Sequence, residues 1–223
     1  MAGIPRSTTS PCSSPPTGEG SQVGGSSGGR GHLCLIGDDG FVKRVSVVGN
    51  AGSGKSRLAG RLAEILAVPH VELDSIHHLP GWEPIAPEKF VALVEAVTAT
   101  ESWVIDGNYR PVVVDGPVWQ RADTIVWLDL PRRTVMVQVT RRTLCRVIRR
   151  EELWNGNREP LRNLYAWDPN KSVIRWAWTQ HAKYRERFSS AMTSSALDHV
   201  RFIRLRSHDE IERWLESLRP EEH

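Results

Sequence analysis

Eight consecutive residues, Gly49-Asn50-Ala51-Gly52-Ser53-Gly54-Lys55-Ser56, constrain this chain more than any other feature. Arg44-Val45-Ser46-Val47-Val48 precedes them with the β-branched composition of a strand. Leu58, Leu62, Ile65 and Leu66 follow on one side of a helix expected over 55–66. Glycines at the bend let the backbone wrap closely and turn its N–H groups inward. A helix beginning near Lys55 aims the positive end of its dipole into the same space. Lys55 adds a mobile cation, and the Ser56 hydroxyl is a ligand for Mg²⁺. The eight residues match G-x-x-x-x-G-K-[ST] without a mismatch, and the strand before and helix after are the setting that motif requires. The reading is a cradle for the phosphates of ATP, formed by Gly49, Asn50, Ala51, Gly52, Ser53, Gly54, Lys55 and Ser56, with Arg57 beside it.

The rest of the chain alternates short apolar runs with helical patterns. His70-Val71-Glu72-Leu73 reads as a second strand ending at Asp74, and Trp103-Val104-Ile105 as a third ending at Asp106-Gly107. Residues 124–128 form a fourth ending at Asp129, and 200–205 a fifth. Between them Pro87 opens a helix with Phe90, Leu93, Val94 and Val97 at helical spacing. Pro131 begins a long helix to about residue 150, and further helices are expected over 171–189 and 209–218. This order predicts an α/β fold in three layers, a five-stranded parallel sheet with helices on both faces. Ligands of such sheets sit beyond the carboxyl ends of the strands, where Gly49, Asp74, Asp106 and Asp129 all fall.

Residues 1–41 are rich in Ser, Gly and Pro and are expected to be a disordered tail, leaving a folded domain over 42–220. A translation start near Val42 would let the domain open directly on its first strand, and intact-mass measurement of the native protein tests that hypothesis. The cysteines, Cys12, Cys34 and Cys145, are odd in number and widely spaced, which argues against a disulfide framework or zinc site and for a reducing cytoplasm. No apolar run is long enough for a transmembrane helix, so no membrane partner is expected. Nine tryptophans are many for 223 residues and are expected in the core or along a cleft.

Two acids flank the cradle. Asp106 follows an apolar strand as a Walker-B acid does and would hold Mg²⁺ with Ser56; the alternative is an acid that caps the next turn. Asp74 could take a proton from an attacking hydroxyl, or simply cap a turn. His77-His78 are adjacent and lack a third ligand at suitable spacing, so one of them lining an acceptor pocket is favoured over metal binding.

Between Asp129 and Glu151 lie seven arginines and no acid: Arg132, Arg133, Arg141, Arg142, Arg146, Arg149 and Arg150. Arg142, Arg146 and Arg149 share one helical face, and Val135, Val139 and Val147 another. Such charge needs anions, or acids from elsewhere in the fold; with a nucleotide as the anion, 131–162 is read as a helix leading into a lid over ATP, with a turn at Gly156. The alternative is a solvated basic face. Nucleic-acid phosphates could serve as well, but a net charge of +3 and the lack of a nucleic-acid module do not favour them.

Beyond the cradle, Glu72-Leu73-Asp74, Pro80-Gly81-Trp82, Asp106-Gly107-Asn108-Tyr109-Arg110, Trp127-Leu128-Asp129-Leu130-Pro131, Arg141-Arg142 and Gly156-Asn157-Arg158-Glu159 occur in an order that resembles bacterial adenylate-kinase-related P-loop proteins, often called DNA topology modulation proteins. The resemblance spans about 43–190. It implies a nucleoside-monophosphate-kinase-like fold that binds ATP and Mg²⁺. It gives Arg110 a role in meeting the acceptor's phosphate, and Arg141 and Arg142 contact with ATP phosphates. Asn-Tyr stands where adenylate kinases carry Phe-Pro, and the threonine-bearing AMP segment is missing after the second strand. Asp74 is similar to the substrate acid of shikimate- and gluconate-type kinases, which favours a hydroxyl acceptor.

The leading expectation is thus an ATP-dependent phosphotransferase acting on a small nucleotide or hydroxyl metabolite. Lys55, Asp74, Arg141 and Arg142 would serve catalysis, Asp74 and Arg110 acceptor binding, and Ser56 and Asp106 the metal. The alternative is an ATP-binding or slowly hydrolysing regulator that contacts nucleic acid through its arginines. A GTPase is not expected, because no Asn-Lys-x-Asp motif occurs.

Overall fold

The computed structural model describes residues 42–150, 152–158 and 172–219. The tail over 1–41 and the far part of the expected lid, 159–162, lie outside the described residues. Five strands carry the fold: β1 (Arg44–Gly49), β2 (His70–Glu72), β3 (Trp103–Asp106), β4 (Thr124–Leu128) and β5 (Arg201–Leu205). All pair in parallel, in the order β2-β3-β1-β4-β5. The helices are α1 (Lys55–Leu66), α2 (Leu73–His77), α3 (Pro87–Thr98), α4 (Pro117–Arg121), α5 (Arg132–Arg149), α6 (Val173–Met192) and α7 (His208–Ser217).

Strand alternation sorts the apolar side chains onto two faces. Val45, Val47, Val104, Val126 and Leu128 join Leu58 and Leu62 of α1 and Leu215 of α7 in one core. Val48, Ile105, Ile125 and Trp127 join Phe90 of α3, Trp119 of α4 and Phe188 of α6 in the other. The architecture is therefore the three-layer α/β one, with a P-loop between the central strand and α1. Trp103, Trp119 and Trp127 are fully buried, which accounts for three of the tryptophans. The Trp119 indole donates to Ser46 Oγ at 3.2 Å, so its polar edge is satisfied inside the core.

Three sequence expectations need correction. Leu73 and Asp74 do not extend β2: the chain turns into α2 at Leu73. Ser75 Oγ donates back to the Glu72 carbonyl at 2.7 Å, and the His78 N–H to the Asp74 carbonyl, and these local bonds outcompete a longer strand. Leu93 is 48% exposed; α3 buries Phe90 and Val94 instead. The short α4 was not expected at all, because five residues are too few to establish a period.

Gly52 shows how tightly α5 meets the P-loop. Its φ is +82°, and a Cβ there would lie 2.6 Å from Val139 Cβ. Gly52→Ala therefore combines a left-handed backbone with overpacking, for an expected loss of about 2–5 kcal/mol of stability. Denaturant unfolding followed by circular dichroism checks this.

Candidate active site

The carboxyl ends of β1 and β3 and the turn after β2 supply the site. Gly49 ends β1, and Asn50 to Gly54 curl from it into α1. Gly54 is the N-cap and brings no side chain to the first-turn amides of α1, which leaves these donors for a ligand. Asn50 is buried. Its Nδ2 donates to the Ala177 carbonyl of α6 at 2.7 Å, and its Oδ1 accepts from the Ala51 N–H. The loop is thus tied to α6 and pressed by α5.

Lys55 Nζ donates to the Asn50 carbonyl at 3.1 Å, folding the side chain back over the loop. Burial pushes its pKa below the usual ammonium value. The charges of Asp106 and Asp74 oppose that shift, and the nearby Arg142 charge adds to it. Lys55, Asp106, Asp74 and Arg142 are therefore electrostatic neighbours, although they come from α1, β3, α2 and α5.

Asp106 is 3% exposed and fully engaged. Ser56 Oγ donates to its Oδ1 at 3.3 Å, and His70 Nε2 lies 2.9 Å from its Oδ2. A hydroxyl and a carboxyl group side by side, next to the glycine-rich loop, fit Mg²⁺, which takes one or two protein oxygens and completes its shell with phosphates and water. Among the described residues no group of three or more His, Cys, Asp or Glu could hold a metal by itself. His70 was missed by sequence reasoning, because nothing in a strand residue 36 positions away signals its partner. By orienting Asp106 it would act on metal affinity from outside the ligand set. His70→Phe is expected to raise the Mg²⁺ concentration needed for half-maximal ATP binding by roughly 10–100-fold, measured by calorimetry across a Mg²⁺ series.

Asn108 was missed as well. Its Nδ2 donates to the Gly49 carbonyl at 2.6 Å and its Oδ1 accepts from the Gly49 N–H at 3.3 Å, so the turn after β3 clamps the start of the P-loop. Gly107 at φ +147° permits this turn, since a Cβ there would strike the buried Leu73 side chain at 2.8 Å. Tyr109 donates its hydroxyl to Asp74 Oδ1 at 2.7 Å. Burial, and then the Asp74 charge, push the Tyr109 pKa far above its ordinary value, so it stays a donor. The signal for both residues was the Asn-Tyr departure from the adenylate-kinase Phe-Pro.

Arg110 does not join this group. It is exposed, and its Nε donates to Asp115 Oδ2 at 2.7 Å. Arg141 and Arg57 are exposed, one on α5 and the other in the first turn of α1, whereas Arg142 is half-buried near Lys55. Asp129, held by Arg204 and Arg185, serves the structure around β5 and α6.

The expected lid divides in two. Its first part is α5, whose Val135, Val139, Thr143 and Val147 are buried and which packs along α6. Its second part, 152–158, lies against α2 and the residues flanking it. Trp154 Nε1 donates to Glu72 Oε2 at 2.9 Å, Asn155 Nδ2 to the Ser75 carbonyl, and Asn157 Nδ2 to the Leu79 carbonyl. In return the Trp82 N–H donates to Asn157 Oδ1. Gly156 at φ +77° makes the turn, as expected.

No protein-family model matches the chain, and neither does any curated protein sequence. Solved structures do resemble it. A shikimate kinase from Bacteroides thetaiotaomicron is 18% identical, with 79% of this chain and 96% of that one covered and a TM-score of 0.47. A shikimate kinase from Acinetobacter baumannii in complex with shikimate is 12% identical, with 78% and 89% covered and a TM-score of 0.48. A gluconokinase from Sinorhizobium meliloti 1021 is 15% identical, with 80% and 90% covered and a TM-score of 0.41. Likeness at this level says nothing of the reaction or its substrate. Among the described residues no helix is long and apolar enough to cross a membrane.

Proposed function

We propose that this protein is an ATP-dependent phosphotransferase that moves the terminal phosphoryl group onto a hydroxyl of a small molecule. One observation carries the reading: besides Asp106 a second acid, Asp74 at the turn after β2, is held by the Tyr109 hydroxyl at 2.7 Å and lies near enough to Lys55 to act on its charge. A nucleotide-binding protein without an acceptor needs only the first of these acids. The second, fixed by Tyr109, is what a hydroxyl acceptor requires.

The roles follow from the chemistry of each group. The P-loop amides and the α1 N-terminus bind phosphate oxygens. Ser56 and Asp106 hold Mg²⁺, which supplies neutralising charge to the phosphates. Lys55 and Arg142 neutralise charge on the transferring group. Asp74 takes the proton of the acceptor hydroxyl as the new oxygen–phosphorus bond forms and the bond to the departing ADP breaks. Arg141 and Arg57, both exposed, are expected to matter less. Arg110 would meet an acceptor only after leaving Asp115.

The test is ADP release measured against a panel of nucleotides, nucleosides, sugars and hydroxy acids. The reading predicts stimulation by a subset of acceptors and a new phosphoester in the product. ADP release that no acceptor changes would instead describe an ATPase.

A further inference from the structure

Aromatic rings run outward from Asp74 in unbroken contact. Tyr109, bonded to Asp74, stacks on His77 with centroids 4.5 Å apart and planes 29° apart. His77 meets His78 edge-on at 4.8 Å. His78 in turn meets Trp82 edge-on at 5.3 Å and lies near-parallel to Trp154 at 6.2 Å. Trp82 and Trp154 stand perpendicular to one another. All of these rings are half-buried, so each keeps part of its surface at the solvent side. A core would bury them, as it does Trp103, Trp119 and Trp127.

Carboxylates stand at both ends of the array, the inner one with Lys55 as its neighbour. Asp74 stands at one end and Glu72, accepting from Trp154, at the other. The nearby described arginines face acids of their own: Arg110 faces Asp115, and Arg158 faces Glu152. At the outer end of the rings a carboxylate or phosphate of a bound molecule would meet Glu72 as a like charge, whereas a neutral ring compound would not.

We propose that the acceptor is a neutral hydroxyl compound with a flat ring face, a nucleoside or a pyranose, seated on the Tyr109–His77–His78–Trp82–Trp154 rings with its hydroxyl at Asp74. This rests on the phosphotransferase reading for its chemistry, but its binding half stands independently. Flat faces stack on aromatic rings without needing a specific hydrogen-bond pattern.

Direct calorimetric titration without ATP reads the binding half alone, using a nucleoside, a pyranose, a nucleoside monophosphate and a hydroxy acid as separate probes. The proposal expects one of the two neutral ring compounds to bind, which also decides between them, and to bind at least tenfold more tightly than either anion. Tighter binding of an anion, or binding of none, overturns it. Trp154→Ala is expected to raise the KM for the neutral acceptor roughly tenfold while the KM for ATP moves less than twofold. Trp154→Phe keeps a ring but loses the bond to Glu72, and is expected to restore most of the loss. If Phe behaves like Ala, Trp154 acts through Glu72 as a structural tie and the stacking site is refuted. Neutral-compound binding without any ADP formation would refute the phosphotransferase reading and leave the ring site standing.

Discussion

Lys55→Met lowers kcat/KM for ATP by roughly 10²–10³-fold and weakens Mg·ATP binding at least tenfold. Methionine keeps most of the length and the apolar stem of lysine, so the α1 N-terminus stays packed while the charge and the bond to the Asn50 carbonyl are lost. The lost interaction is a positioned cation in a site that burial has already dehydrated, where donors to the transferring group are worth this much. The variant also leaves Asp106 and Asp74 without their shared cation, so the two acids repel incoming phosphates. Steady-state kinetics and calorimetry on the folded variant measure both effects. A Lys55→Met protein that turns over within threefold of the parent would show that the ammonium does not meet the transferred group.

Asp74→Asn separates the two sides of the site. The amide keeps the shape of the carboxylate and can still accept from Tyr109, but it cannot take a proton. The expected result is a fall in kcat of roughly 10²–10⁴-fold with the acceptor present. The dissociation constant for Mg·ATP should change less than threefold, because Asp74 is bonded to Tyr109 and not to Ser56 or Asp106, the proposed metal ligands. The split between a large loss in turnover and unchanged nucleotide affinity distinguishes a general base from a structural cap. Equal losses in both would mean that Asp74 serves the P-loop rather than the acceptor.

Much of the fold was legible because its signals are local. Strand composition and helical spacing placed α1 at its observed bounds and the other strands and longer helices within a few residues. Gly49 to Ser56 located the cradle, since a glycine-rich bend between strand and helix has few other physical solutions. Asp106 was legible from the end of its strand. The surroundings of Asp74 were not. Whether Asp74 prolongs β2 or opens α2 turns on the Ser75 hydroxyl choosing the Glu72 carbonyl, a competition that no periodicity records. Arg110 was assigned by resemblance, yet an acid five residues on gives it a nearer partner. The docking of Trp154, Asn155 and Asn157 on the α2 side joins segments about eighty positions apart, and only the folded chain brings them together. His70 escaped for the same reason.

The arginine segment illustrates both limits. The three valines placed together on one face are indeed buried, and Arg142 does reach the neighbourhood of Lys55. Its charge alone could not tell that Arg132 would lie over Trp178 at 4.5 Å. Nor could it tell that the segment beyond α5 would dock on Glu72, Ser75 and Leu79.

Titrating Mg·ATP into the intact protein by calorimetry tests the central claim most directly. The P-loop account predicts saturable binding at one site per chain, lost when Mg²⁺ is chelated and at least tenfold weaker in Lys55→Met. A well-folded protein that takes up no Mg·ATP, or that binds it equally well without the Lys55 ammonium, would contradict it.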